Sequence, residues 1–330
     1  MKRIARVLAI VGLALAATLF VRANIGRIAE LVFAAVPGLV VAGGFHVFPM
    51  IVNAVAWRRL LPVSQRPRVR VLAHAVWIRE SVNGVLPVAR IGGEIAAYRV
   101  LCRTVASRAD AAASVAADMA LSVLSQSVFA LAGLCMLFAV GHTSVVAARL
   151  LTVAGVMLAL GAGFVLVQRA GGLAAMTGLV DRLFVGKLGA TRARSLRLDR
   201  ALRRVYERRG DVGACVAWQL VAWILGAGEI WLALYFLGQP RDLYDAIVIE
   251  ALIQAISSAA FVVPAALGIQ EGGFLLIGAA LGIDASTSLA LAAARRLRDL
   301  IIYLPGLLAW HRAEIRNRGQ RCISRIDVAP

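Results

Sequence analysis

Long apolar runs are the feature of this sequence that most restricts its fold. Several stretches, among them Val7 to Val21 and Leu31 to Ala56, approach or exceed the roughly 20 apolar residues that a helix needs to cross a bilayer. Only 16% of the residues are charged, against about a quarter in soluble domains. We therefore expect an all-α, polytopic integral membrane helix bundle with about six to eight full spans. The whole chain, 1-330, forms this single membrane domain.

The first apolar run, Val7 to Val21, follows a basic start and has two interpretations. It could be the apolar part of a cleaved signal peptide or a retained first helix. The many apolar runs that follow favour a retained helix.

The basic residues indicate how the chain is oriented in the membrane. The net charge is +18, but the arginines lie between apolar spans, which favours topology determinants over nucleic-acid binding. They concentrate after the second span, in the insertion 168-211 and in the tail beyond His311, whereas the Gly141-His142-Thr143 turn has none. We expect a bacterial inner-membrane protein with both termini in the cytoplasm and that turn in the periplasm.

The insertion 168-211 is rich in arginine and contains apolar residues at helical spacing, such as Leu198, Leu202 and Val205. We interpret it as a cytoplasmic amphipathic helix on anionic headgroups. Binding of a protein partner is the alternative.

The cysteines and histidines give no indication of a metal site. The four cysteines are far apart and the four histidines are scattered, so no zinc-type spacing occurs. We propose no cofactor and no metal, and we treat the cysteines as structural.

Two segments are too charged for lipid-facing spans and too apolar for free loops. They are Trp77 to Arg103, within the element 71-110, and Phe261 to Ile283, within the element 246-311 that also contains the final span. Each has a proline (Pro87, Pro264), a glutamate seven residues later (Glu94, Glu271) and an adjacent Gly-Gly pair. The match predicts an inverted internal repeat.

Broken backbone at membrane depth is tolerated only where protein or water satisfies its peptide groups. We therefore expect each element to be a pair of short re-entrant helices that meet near Pro87 and Pro264. The N-terminus of the second short helix would point its partial positive charge at an anionic headgroup.

Charged residues inside these elements are costly in lipid and must be paired or hydrated. We expect ion pairs between Arg90 and Glu94 and between Arg295 and Asp299, with Glu229 and Glu250 as further partners. The alternative for the arginines near Arg295 is that they anchor the last helix at the interface. The candidate substrate-binding residues are Arg79, Glu80, Asn83, Pro87, Arg90, Gly92, Gly93, Glu94, Asp118, Pro264, Gly268, Gln270, Glu271, Gly272, Arg295, Arg298 and Asp299.

The stretches RESVNGVLPVARIGGE, VPAALGIQEGG and ARRLRD resemble the flippase-like family that includes the transmembrane region of lysylphosphatidylglycerol synthases. Gln270 to Gly273, Trp77 to Glu80 and Leu304 to Trp310 most resemble its HpnL-type members, which are named for hopanoid biosynthesis loci. The resemblance implies a lipid translocase, or an accessory to lipid modification, for a hopanoid-type, anionic phospholipid or polyprenyl lipid. The chain ends after the membrane region, so we do not expect lipid aminoacylation.

Three function hypotheses follow. The first is a lipid translocase in which the arginines bind the headgroup and the carboxylates position them. The second is a membrane-embedded enzyme that uses Glu94 and Glu271 as acid and base. The third is a scaffold that holds lipid-biosynthesis enzymes through the Arg-rich insertion. The lipid translocase would have membrane lipids as its partners, and no hypothesis involves nucleic acid. The oligomeric state stays open.

Overall fold

The computed structural model describes residues 2–86, 91–139, 155, 158–159, 162–163, 165–168, 170, 189–260, 263 and 266–326. The described part of the chain is all helical, apart from turns, and contains no strand. Its α-helices in chain order are α1 (Lys2–Arg22), α2 (Ile25–Phe45), α3 (Val47–Leu60), α4 (Val69–Val85), α5 (Ile91–Leu101), α6 (Arg108–Ala139), α7 (Gly189–Glu207), α8 (Arg209–Phe236), α9 (Leu243–Ala259), α10 (Ile269–Ala280) and α11 (Ala285–Ile326).

The longest apolar helices have the length of membrane spans. The pair α2–α3 covers 36 residues from Ile25 to Leu60, α6 covers 32 and α8 covers 28, and about 20 residues are enough to cross the hydrocarbon core. The expected polytopic helical bundle is therefore confirmed. The apolar run Val146 to Val167, whose length also predicts a span, lies mostly outside the described residues, as does the Gly141-His142-Thr143 turn.

The second predicted span, Leu31 to Ala56, is two helices instead of one. α2 ends at Phe45, and His46 donates its backbone N–H to the carbonyl of Gly43 at 3.1 Å. This tight turn before α3 places the His46 side chain between neighbouring helices, where it becomes part of the site described below.

Both rule-breaking elements contain the expected break between two helices. α4 ends at Val85 and α5 begins at Ile91, while α9 ends at Ala259 and α10 begins at Ile269. Pro87 and Pro264 themselves lie outside the described residues. The break is as predicted, and the re-entrant course of each pair through the membrane stays a prediction.

Helix packing follows the pattern that an internal repeat predicts. The spacing between Glu94 and Glu271 equals that between the first residues of α6 and α11, Arg108 and Ala285, so α3–α6 correspond to α8–α11. α3 packs against its counterpart α8. α6 packs against α9, and the counterpart of that contact, α11 against α4, is also present. The two sets of four helices thus interlock through equivalent contacts.

The apolar core is divided in the same way. One cluster of buried residues gathers around α3 to α6, with Trp57, Leu72 and Leu121 fully or almost fully buried. A second gathers around α2 and α8 to α11, with Ile230, Ile253 and Phe274 buried. The polar side chains described next lie where these two cores meet.

The Arg-rich insertion contains the expected amphipathic helix, α7. Leu202 and Val205 are buried in the core around α6, and four arginines on the opposite face are exposed: Arg197, Arg200, Arg203 and Arg204. The apolar face is covered by the protein, so any contact with anionic headgroups falls to the arginine face.

Candidate functional site

The first break brings α5 close to α4 through a glycine. The backbone N–H of Gly93 donates to Oδ1 of Asn83 at 2.9 Å. A Cβ atom at Gly93 would overlap the carbonyl oxygen of Arg79 and the Asn83 side chain, so only glycine fits here. The predicted residues Asn83 and Gly93 are thus in contact, with Gly92 beside them. Arg90, the expected partner of Glu94, lies outside the described residues.

Arg79 is the centre of a buried polar group that we call the Asp118 cluster, consisting of Arg79, Glu94, Asp118 and Gln219. Arg79 Nη1 donates to Asp118 Oδ2 at 2.5 Å, and Gln219 Nε2 donates to Asp118 Oδ1 at 3.1 Å. Arg79 Nε lies 3.9 Å from Glu94 Oε1, and the guanidinium carbon is 5.5 Å from the centre of the Trp57 ring. The cluster ties α4, α5, α6 and α8 together. Charges buried away from water need ion pairs and hydrogen bonds from neighbouring side chains, and these four helices supply them.

The second break has an equivalent glutamate with a different partner. Glu271 Oε2 accepts the backbone N–H of Gly268 at 2.7 Å, where Gly268 has the left-handed φ of 77° that favours glycine. Glu271 Oε1 accepts from Arg296 Nε at 3.0 Å and from Arg296 Nη2 at 2.7 Å. The carboxylate therefore caps α10 and fixes it to α11. Pro264 lies outside the described residues.

Two other residues predicted for this segment have less defined roles. Gln270 is half-buried. The position of Gly272 is open: the nearest atom to an added Cβ would be Leu19 Cδ1, at 4.0 Å.

The predicted pair of Arg295 with Asp299 is wrong. Arg295 Nη2 instead donates to Glu250 Oε2 of α9 at 2.6 Å, and Asp299 is bound by Arg298 at 2.6 Å. Glu250 is 2% exposed, and leaving such a carboxylate without a cation would cost several kcal/mol. The cost of leaving Glu250 of α9 unpaired thus exceeds the few tenths of a kcal/mol, roughly, that an Arg295–Asp299 pair within α11 would contribute.

Arg295 has donors left over after this pairing. Its Nε and Nη1 atoms are buried and have no hydrogen-bond partner among the described residues, although the whole side chain is only 3% exposed. Arg295 and Glu229 line one small cavity of about 10 Å³ between α2, α8 and α11, which is room for about one water molecule.

The remaining predicted residues meet in a third group, the His46 cluster, formed by His46, Glu80, Glu229, Arg298, Asp299 and Tyr303. His46 Nδ1 lies 2.9 Å from Glu229 Oε2, and His46 Nε2 lies 3.6 Å from Glu80 Oε2. Arg298 Nη1 donates to Glu229 Oε2 at 3.0 Å. Tyr303 OH is 3.3 Å from His46 Nε2. The cluster joins the α2–α3 turn to α4, α8 and α11.

The predicted site residues thus form several polar groups in the structure, where a single pocket is predicted. Glu80 and Arg79 are neighbours in α4 but belong to different clusters, because adjacent residues on a helix point in different directions. In the sequence, His46 is one of four scattered histidines and is not predicted to belong to the site. Arg296, Gln219 and Tyr303 are not among the predicted site residues either. An ionisable residue inside an apolar run is itself a functional signal, which would have identified His46.

Comparison with known protein families places this geometry in context. The family model for the lysylphosphatidylglycerol synthase TM region matches residues 4–306. The chain belongs to this family. The matched range contains all three groups of polar residues described above, and membership identifies a multi-pass membrane protein linked to lipid metabolism or transport. No curated protein and no solved structure matches the chain.

Membership of the lysylphosphatidylglycerol synthase TM region family links the charged interior of this chain to lipid metabolism or transport. Among the described residues, no group of three or more His, Cys, Asp or Glu side chains could hold a metal ion. What the arrangement can do chemically rests on its arginines, carboxylates and one histidine: bind an ionic group, exchange hydrogen bonds and take up protons.

Proposed function

We propose that the chain is an inner-membrane lipid translocase, with both termini in the cytoplasm, that binds an anionic lipid headgroup at its buried charged residues. The observation that carries the proposal is Arg295, whose Nε and Nη1 atoms are buried and have no hydrogen-bond partner within the described part of the chain. They lie beside the cavity that Arg295 shares with Glu229. A guanidinium offers planar, paired donors that suit a phosphate or carboxylate. An apolar bundle that retains unused arginine donors is suited to receive an anion.

The size of the cavity indicates which state of the cycle this structure represents. About 10 Å³ admits roughly one water molecule and no phosphate group. For a headgroup to reach Arg295, α2 must separate from α8 and α11. We therefore propose that the structure is a closed state between two open ones, in keeping with the alternating movement of repeats around a central site.

The substrate class follows from the charge of the donors. The headgroup carries phosphate or carboxylate oxygens, as in an anionic phospholipid or a polyprenyl phosphate; a hopanoid-type lipid fits if it carries such a group. The resemblance of Gln270 to Gly273 and of Trp77 to Glu80 to HpnL-type members supports a hopanoid-type lipid.

An enzymatic role for the two repeat glutamates is the weaker interpretation. Glu271 accepts hydrogen bonds from Gly268 and Arg296, which is a structural arrangement and not that of a mobile acid or base.

The scaffold hypothesis has one observation in its favour, the exposed arginine face of α7. Arg197, Arg200, Arg203 and Arg204 are exposed, and Arg203 and Arg204 also reach Ala170 and Asp110. Such a face could bind an acidic surface of a lipid-biosynthesis enzyme.

Leaflet redistribution of fluorescent anionic lipids in proteoliposomes tests these alternatives. We expect Arg295→Ala and Glu271→Gln to insert in the membrane yet to lose lipid movement. An Arg197→Gln/Arg200→Gln variant, which alters only the exposed face of α7, should move lipid as the wild type does. Normal movement by both site variants would contradict the proposed site, and loss of biological function only in the α7 variant would favour the scaffold.

A further inference from the structure

His46 is in contact with charged or polar side chains from three helices outside its own turn. Glu80 approaches from α4, Glu229 from α8, and Arg298 and Tyr303 from α11. Asp299 completes the group by binding Arg298. A histidine with these neighbours lies at the junction between the two repeats.

The contacts of one ring nitrogen cannot all be hydrogen bonds at the same time. His46 Nδ1 is 2.9 Å from Glu229 Oε2 and 3.0 Å from Arg298 Nη1. A carboxylate accepts only from a protonated nitrogen, whereas a guanidinium donates only to an unprotonated one. The same position of the ring therefore satisfies two protonation states, each of which uses a different partner.

The charge of the cluster favours the protonated state. The cluster contains three carboxylates, Glu80, Glu229 and Asp299, and one arginine, Arg298. Arginines at its edge also attract these carboxylates, but each already pairs with a carboxylate outside the cluster: Arg79 with Asp118, Arg295 with Glu250 and Arg296 with Glu271. Glu80 Oε2 lies 3.6 Å from His46 Nε2, whereas Arg298 and Arg79 attract Glu80 only from a greater distance. A positive charge on the imidazole reduces this excess, and the described residues form no metal site that could do so instead.

We infer that His46 is a proton-binding site whose occupancy controls the contact between the two repeats; its effect on lipid movement rests on the proposed function. On uptake, the Nδ1 lone pair forms an N–H bond with a proton from water. The imidazolium then donates to Glu229 and, through Nε2–H, faces Glu80, while Arg298 is held by Glu229 and Asp299. On release, the proton returns to water and Nδ1 accepts from Arg298.

The consequence for the fold is a change in which helices attract each other. In the protonated state His46 draws Glu80 of α4 and Glu229 of α8 towards the α2–α3 turn. In the neutral state Nε2–H still faces Glu80, but the ring has lost its positive charge and its hydrogen bond to Glu229, and the contact with Arg298 of α11 replaces that bond. α2 also lines the cavity next to Arg295, so this exchange acts on the helix that must move for a headgroup to enter.

The first test follows the proton and does not depend on lipid movement. His46 becomes the only histidine in a His74→Gln/His142→Gln/His311→Gln variant, since the chain has four. Its ring ¹⁵N chemical shifts are recorded in lipid nanodiscs from pH 5 to 8, the range in which histidine normally changes charge. We expect a titration of both nitrogens. One unchanged protonation state throughout this range would overturn the inference.

The second test measures lipid movement over the same pH range. We expect the wild-type rate to change by about tenfold as a single group titrates. The His46→Gln variant should show a flat profile, and His74→Gln, which alters an exposed histidine of α4, should keep the wild-type profile.

The outcomes separate the two proposals. A His46→Gln variant that keeps the wild-type pH profile would overturn the role of His46 while leaving the translocase intact. If wild-type protein moved no lipid at any pH, the proposed function would fail, and the ¹⁵N titration would still decide whether His46 binds the proton.

Discussion

At the scale of single residues, the buried arginines differ in how fully their donors are used. Arg298 is bound by Glu229 and Asp299, and Arg79 by Asp118. Among the described residues, Arg295 forms a salt bridge with Glu250 alone. The sequence allowed the prediction that these arginines would be paired, because unpaired charge in lipid is too costly. It did not allow the partners to be chosen, since these come from helices distant in the sequence.

The pairing of Arg295 with Glu250 predicts a specific pattern of stability. Arg295→Met leaves Glu250 charged and buried, and removing one partner of a buried pair costs about 3–5 kcal/mol. Arg295→Met/Glu250→Gln, which leaves no charge behind, should recover most of that loss. Thermal unfolding in detergent measures both variants, and a double variant no more stable than the single one would contradict the pairing.

The same double variant separates stability from activity. Because it lacks the guanidinium, we expect it to be folded but unable to move lipid. Retained lipid movement in this variant would exclude Arg295 as a headgroup ligand.

At the scale of elements, the two broken segments are alike in sequence and differ in packing. Both contain a helix break and a glutamate in the first turn of the second helix. Glu94 approaches Arg79 of the preceding helix, whereas Glu271 binds Arg296 of the following one. Proline, glycine and buried charge made the breaks predictable. The difference between the partners was not, because it depends on which helix lies alongside.

The glycines of the two segments predict contrasting effects of one methyl group. Gly93→Ala should push α5 away from α4, because the added Cβ would overlap the Arg79 carbonyl and Asn83; we expect a loss of about 1–3 kcal/mol in stability, as for overpacking. Gly272→Ala has open space and should be neutral or slightly stabilising.

Thermal unfolding of the two purified alanine variants checks this contrast. Equal stability of Gly93→Ala and the wild type would mean that α5 does not pack on α4 as described.

At the scale of the whole molecule, two equivalent sets of helices exchange contacts around a charged interior. α6 packs on α9 and α11 on α4, so neither repeat forms its environment alone. The overall class was predictable from apolar run length, because lipid imposes helices on any spanning chain. The meeting of His46 with residues of α4, α8 and α11 was not, since it depends on how the repeats interlock.

The arrangement of arginines predicts the topology of the entire chain. We expect a reporter that is active only in the cytoplasm to be active when fused to either terminus, because arginine-rich loops stay in the cytoplasm. A reporter inserted at Gly141 should behave as periplasmic. Two cytoplasmic termini require an even number of membrane crossings, so termini on opposite sides of the membrane would contradict the proposed orientation.

The central claim is that the chain moves lipid between leaflets at a site held by the two repeats. The most direct test is leaflet redistribution of anionic lipids in proteoliposomes, comparing the wild type with a Glu94→Gln/Glu271→Gln variant reconstituted at equal density. We predict that the wild type moves lipid faster than protein-free vesicles and that the double variant does not. Equal rates for the wild type and protein-free vesicles with every lipid tested would contradict the claim.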